Sequence, residues 1–141
     1  VAVTSSTLYL LDSNMVGYIA SDRSPAARRT MNQLSRHSSM ATSAIVEGEA
    51  RYGLARKPDA TRIRASVEAL LLGIGILPWD SAAARSYGAL RARLAAAGTP
   101  LSTIDTLIAA HALSLDAVLV THDAAFSQVH GLLTVDWATD L

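Results

Sequence analysis

The sequence contains no cysteine. This one absence excludes a disulfide scaffold, a zinc finger, an iron–sulfur site and a thiol nucleophile, and it fits a reducing, cytoplasmic setting. Lysine is nearly missing as well. Lys57 is the one lysine, and it stands between Arg56 and Pro58, outside any Gly-Lys-Ser/Thr context, so there is no phosphate-binding P-loop. Neither sign of charge is in excess: twelve Lys plus Arg balance twelve Asp plus Glu. A protein that holds nucleic acid by bulk charge alone is thereby excluded. Long apolar runs are also lacking. The longest, 69–79, is broken by two glycines and a proline, and a membrane span needs roughly 20 apolar residues. Residues 1–7 carry no Lys or Arg and so lack the charged start of a signal peptide. A soluble chain is expected.

What is present is core-forming material. Half of the 141 residues are hydrophobic and 17% are charged, enough to bury one core in one domain. Leu8-Tyr9-Leu10-Leu11 is a continuous apolar run, the pattern of a strand buried on both faces, and it stops at Asp12-Ser13-Asn14. A helix is expected over 24–35, opened by Ser24-Pro25. A short strand follows at 40–42, then a helix capped by Ser43 and closed by Gly53 or Pro58, then a helix over 60–72. The stretch 75–78 reads as a brief strand. In 81–97, Ala83, Tyr87, Leu90 and Leu94 share one helical face, with Gly98 and Pro100 as the stop. A helix over 103–113, the clear strand 117–121 and a weaker strand 132–135 complete the chain. This alternation predicts an α/β fold: one domain over 1–141, core about 8–137, with a mainly parallel sheet flanked by helices on both faces.

In such sheets ligands gather beyond the carboxyl ends of the strands. Asp12 follows the first strand directly, and Asp123 lies two residues past Thr121. Glu49 and Asp105 sit early in helices that begin near the same edge. Carboxylates that converge without Lys or Arg partners repel each other, so they take up protons or bind a divalent cation. Oxygen-only ligands suit Mg²⁺ or Mn²⁺, and the chemistry that follows is phosphodiester hydrolysis. Each acid also has a plainer reading. Asp12-Ser13-Asn14 is ordinary turn chemistry, and Ser102-Thr103-Ile104-Asp105 matches a helix-capping pattern. Glu47 competes with Glu49, the two lying about 200° apart around a helix. Asp123 also reads as a loop acid. Other chemistries find no support: there is no dinucleotide fingerprint, no Gly-x-Ser-x-Gly elbow, and His37, His111 and His130 lack metal-ligand spacing.

Taken in order, the segments resemble the PIN-domain ribonucleases and, within them, the VapC toxins of VapBC toxin–antitoxin pairs. Leu10-Leu11-Asp12-Ser13-Asn14 is similar to the opening strand and Asp-Thr-Asn motif. Glu49-Ala50-Arg51-Tyr52-Gly53 is similar to the stretch that supplies the second acid. Asp105-Thr106-Leu107-Ile108-Ala109-Ala110-His111 is the most specific segment, and Leu119-Val120-Thr121-His122-Asp123 with Val135-Asp136-Trp137 completes the match. The resemblance implies that Asp12, Glu49, Asp105 and Asp123 form an acidic catalytic quartet, with Asp12 and Asp105 as metal ligands for Mg²⁺ or Mn²⁺. It selects Glu49 over Glu47 by register with Tyr52, and it gives Asn14 and Thr121 the task of positioning the acids. It further implies an endoribonuclease toxin acting on tRNA, rRNA or mRNA, a homodimer, and inhibition by a cognate VapB-type antitoxin. Ser13 stands where Thr is common, and His122 where Asn is common. The competing expectation is a PIN-fold module that binds RNA or antitoxin without cutting. The eleven arginines are read as solvated helix faces.

Overall fold

A computed structural model describes residues 7–141; the charge-free opening residues 1–6 lie outside the described residues. Five strands form one sheet in the order β3-β2-β1-β4-β5. They are β1 (Leu8–Leu11), β2 (Ser39–Ser43), β3 (Ile76–Leu77), β4 (Val118–Val120) and β5 (Leu133–Val135). All four pairings are parallel, with Leu10 opposite Ala41 on one side and Leu119 on the other.

The connections are helical. Between β1 and β2 lie α1 (Ser13–Ala20) and α2 (Pro25–Leu34); between β2 and β3, α3 (Ala44–Ala55) and α4 (Thr61–Ile74). Helices α5 (Ser81–Ala97) and α6 (Thr103–Ser114) join β3 to β4, and a short 3-10 turn, Ala124–Gln128, leads to β5. The expected architecture is therefore present. Leu10, Leu11, Leu119 and Val120 are fully buried at the centre of the sheet, as their unbroken apolar runs require.

Local chemistry starts and stops these elements. Ser24 caps α2 through the Ala27 N–H (3.1 Å), with Pro25 at the first helical position. Asp80 caps α5 through the Ala83 N–H (3.0 Å). Gly98, at φ 65°, closes α5 in the left-handed conformation that glycine adopts without steric cost. Near the end of the chain, the Asp140 carboxylate accepts from the Ser24 hydroxyl (2.6 Å) and the Ala26 N–H (3.1 Å), clipping the last residues onto the start of α2.

One helix departs from expectation. The chain does not run loosely from Asp12 to Ser24; it forms α1, whose Met15, Val16, Ile19 and Ala20 are buried. Gly17 and the β-branched Val16 and Ile19 give this segment weak intrinsic helix propensity, and packing of its apolar face overrides that. Of the two stops expected for α3, Gly53 is passed and the helix ends at Ala55, ahead of Pro58. Among the described residues, no helix is long and apolar enough to cross a membrane.

Candidate active site

The sheet order reverses between β1 and β4: from β1 the chain adds strands on one side, then returns to add β4 and β5 on the other. A crevice opens at the carboxyl ends of strands at such a reversal. Asp12 sits in it. Its backbone N–H donates to the Val120 carbonyl (3.1 Å), extending the β1–β4 ladder, and its carboxylate accepts from the Met15 N–H (2.8 Å), capping α1. The turn reading of Asp12 thus gives way to a helix cap that is only 4% exposed. Burial pushes its carboxyl up to about 6, and the negative charges of Asp105 and Asp123 push in the same direction. Hydrogen bonds from the Thr121 hydroxyl and the Met15 N–H oppose the rise.

Thr121, buried directly after β4, has a second task. Its Oγ1 accepts from the Asp123 N–H (3.0 Å), fixing the loop that carries Asp123. Asp123 itself is exposed and caps the 3-10 turn through the Ala125 N–H (2.9 Å). The third acid comes from α6. Ser102 caps that helix, its Oγ accepting from the Asp105 backbone N–H (3.1 Å). Capping therefore rests on Ser102 and on the Asp105 main chain. The Asp105 carboxyl is raised by burial and by the charge of Asp123, against a hydrogen bond from the Ser102 hydroxyl. Three acids from three distant parts of the chain thus sense one another.

The fourth candidate, Glu49, comes from α3. It is half-buried on α3, one turn from Gly53, which lines a cleft together with Ser13 and Asn14. Among the described residues it makes no hydrogen bond or ion pair. Glu47, by contrast, is committed to Arg51 (2.9 Å), which also reaches Glu68 on α4 (2.6 Å). That exposed network ties α3 to α4 and leaves Glu49 as the unengaged acid of the pair. Asn14 is exposed and its side chain makes no hydrogen bond among the described residues, whereas Thr121 bonds both Asp12 and the Asp123 N–H.

A PIN-domain model matches residues 9–132 of the sequence. The chain belongs to the PIN-domain family. It is 31% identical over 131 residues, 92% of this chain and 98% of the relative, to the tRNA(fMet)-specific endonuclease VapC of Shigella flexneri. The VapBC2 structure from Rickettsia felis, bound to a promoter DNA fragment, superposes with a TM-score of 0.88 at 25% identity, covering 93% of this chain and 99% of that one. The DNA-bound VapBC structure from Salmonella typhimurium gives 0.85 at 30% identity over 93% and 98%. This PIN domain is homologous to VapC ribonuclease toxins, in sequence and in fold.

Three features of this PIN domain escaped the sequence. Ser13 Oγ, adjacent to Asp12, is buried without a hydrogen-bond partner among the described residues. His122 Nδ1 meets Asp136 Oδ2 at 2.7 Å. The second follows from register, since β4 and β5 pair in parallel with Val120 opposite Val135, and each side chain lies just beyond. Fourteen residues of separation gave no local signal of it. Buried His111 Nδ1 likewise meets Ser43 Oγ at 2.8 Å, joining α6 to the start of α3. Because Ser43 Oγ already accepts from the Ile45 N–H (3.1 Å), its own proton is free for the imidazole.

VapC nucleases as a family are metal-dependent. Among the described residues no group of three or more His, Cys, Asp or Glu is gathered closely enough to hold an ion. Two carboxylates suffice for Mg²⁺, which keeps several of its waters and prefers oxygen donors. Asp12 and Asp105 are oxygen donors of that class, each with a carboxyl that burial raises. Neither Asp12, Asp105 nor Asp123 forms an ion pair among the described residues, so their mutual repulsion has no protein cation to relieve it.

Proposed function

We propose that this PIN domain is a Mg²⁺- or Mn²⁺-dependent endoribonuclease toxin whose catalytic acids are Asp12, Glu49, Asp105 and Asp123, with Asp12 and Asp105 as the metal ligands. The observation that carries the reading is Asp12, a nearly inaccessible carboxyl held beside two further acids with no basic partner. A non-catalytic module has no physical need for that costly arrangement. A divalent ion supplies activation of water and stabilisation of charge on the scissile phosphate when bound. The chain's own residues do the rest. Thr121 fixes Asp12 and the Asp123 loop, Ser102 fixes the start of α6, and Glu49 orients the attacking water from across the cleft. Hydrolysis in line at phosphorus displaces the 3′ oxygen and leaves a 5′-phosphate.

Relatives acting on initiator tRNA and structures of VapBC complexes support a structured RNA as substrate and a VapB-type antitoxin as partner. The reading takes 1–141 as one PIN domain that acts as a homodimer. The test is cleavage of labelled small RNA, initiator tRNA included, by purified protein with Mg²⁺ or Mn²⁺ against EDTA. Discrete metal-dependent fragments with 5′-phosphate ends, absent for Asp105→Asn, are expected. Cutting that persists in EDTA and in Asp105→Asn refutes the assignment; RNA or antitoxin binding without any cutting selects the module reading instead.

A further inference from the structure

Beside the carboxylates, four side chains form a connected row. Asp136 holds His122 through Nδ1 (2.7 Å). The His122 ring meets Tyr18 edge-on, with centroids 6.0 Å apart and planes at 85°. The Arg23 guanidinium lies over the same Tyr18 ring, 5.1 Å from its centroid. Tyr18 and Arg23 line a cleft of about 470 Å³ that begins at Ser13, next to Asp12, and continues to Arg56 and Lys57. His122 is the immediate neighbour of Asp123, so the row starts at the acids and leads away from them.

The chemistry of the row is specific. A carboxylate accepts and cannot donate, so Nδ1–H faces Asp136, and in that tautomer Nε2 is the acceptor edge of the ring. Nε2 has no partner among the described residues, and His122 is exposed. Arg23, Arg56 and Lys57 form no ion pair among the described residues, whereas Arg28 and Arg51 are both paired with acids. Stacking on Tyr18 restrains Arg23 while leaving its N–H donors available. An oriented acceptor next to a restrained, unpaired guanidinium matches one ribonucleotide: the 2′-hydroxyl donates to the first and the phosphate accepts from the second.

On the reading of the pocket as an RNA-cutting site, we propose that His122 and Arg23, both positioned by Tyr18, form a ribonucleotide subsite beside the catalytic acids. His122 reads the ribose 2′-hydroxyl and Arg23 grips a phosphate. The row thereby gives this PIN domain a means of preferring RNA to DNA that the acids alone do not provide.

The test compares binding of a fluorescein-labelled mixed-sequence single-stranded RNA and its all-deoxy counterpart, by anisotropy, with Ca²⁺ in place of Mg²⁺. Wild type favours the RNA by about fivefold, the size of one neutral hydrogen bond. His122→Phe keeps the edge-on ring and removes the acceptor; it brings the RNA-to-DNA ratio to about one and leaves DNA affinity unchanged. Arg23→Gln weakens both ligands alike, by about five- to tenfold. Arg91→Gln is the control: Arg91 also lies over a tyrosine, Tyr87 (5.9 Å), but outside this cleft, and its loss changes neither affinity. In Mg²⁺-supported cleavage, His122→Phe raises KM and spares kcat. A ratio that survives His122→Phe, Arg23→Gln no worse than Arg91→Gln, or no RNA preference in wild type overturns the subsite. Wild-type cleavage run in parallel reads the nuclease assignment separately: flat ratios with intact cutting sink the subsite alone, and altered ratios without cutting sink the nuclease alone.

Discussion

Replacing Asp12 by Asn should make the metal-free protein more stable, although it destroys the proposed metal site. In the unfolded chain this carboxyl titrates near 3.8, whereas in the fold burial and two neighbouring acids raise it to about 6. The sign follows from proton uptake. Between these values the native state holds a proton that the unfolded state has lost, so stability falls as pH rises and levels off above about 6. A little over two pKa units, at about 1.36 kcal/mol each, is close to 3 kcal/mol of destabilisation at pH 7.5. Only 4% of the residue is exposed, so solvent screens little of it. Asparagine keeps an oxygen for the Met15 N–H and carries no charge. For a domain of this size the gain amounts to roughly 10 °C in Tm. The assay is thermal and urea denaturation in EDTA across pH 4 to 8, repeated with Mg²⁺. Wild type should gain stability from Mg²⁺ through mass action, and Asp12→Asn should not. An Asp12→Asn protein that is no more stable than wild type at pH 7.5 in EDTA, with the same slope between pH 4 and 6, would refute the argument that the buried charge strains the fold.

Three further expectations follow from the same geometry. Asp105→Asn should not lower Tm, because the cap uses its backbone N–H and the substitution removes a charge that burial and Asp123 disfavour, and it should lower cleavage by about a hundredfold or more; Ser102→Ala should cost about 1 kcal/mol by denaturation instead. Glu49→Gln should reduce kcat less than Asp105→Asn does, since the proposed metal ligands are Asp12 and Asp105 and Glu49 only orients the water; equal losses in single-turnover cleavage would contradict that placement. His111 is lowered by burial, against an opposing pull from Asp80, so below about pH 6.5 the unfolded state takes up its proton first and stability drops with falling pH. His111→Gln should remove that component from the wild-type-minus-variant difference measured by urea titration.

The fold was legible where the chain's own periodicity is strong. Leu8–Leu11 and Val118–Val120 read as buried strands because every residue in them is apolar, and α5 read cleanly because its apolar face and the Gly98 and Pro100 stop agree. Helix α1 was not legible, since its stability comes from tertiary burial of Met15, Val16 and Ile19 rather than from propensity. Three of the four candidate acids are legible as a group only through topology: Asp12, Asp105 and Asp123 meet because the sheet order reverses between β1 and β4. Family register, not chemistry, singled out Glu49. Pairs such as His122–Asp136 and His111–Ser43 have no sequence signature, because parallel pairing and helix docking bring together residues 14 and 68 positions apart.

The placement of β1 in the middle of the sheet also sets an order of events during synthesis. Its first partner, β2, emerges some thirty residues later, but its second, β4, does not emerge until about residue 120. Long loops make such late contacts slow to form, and a chain grows from its N-terminus. A ribosome-bound fragment of a hundred residues therefore carries Asp12 with one side of its strand still unpaired and no Thr121 or Asp123 beside it. The acids become a site only when most of the chain has been made. On the proposed reading, that delay keeps copies shorter than about 120 residues from presenting the full set of acids to the RNA of the machine that is making them.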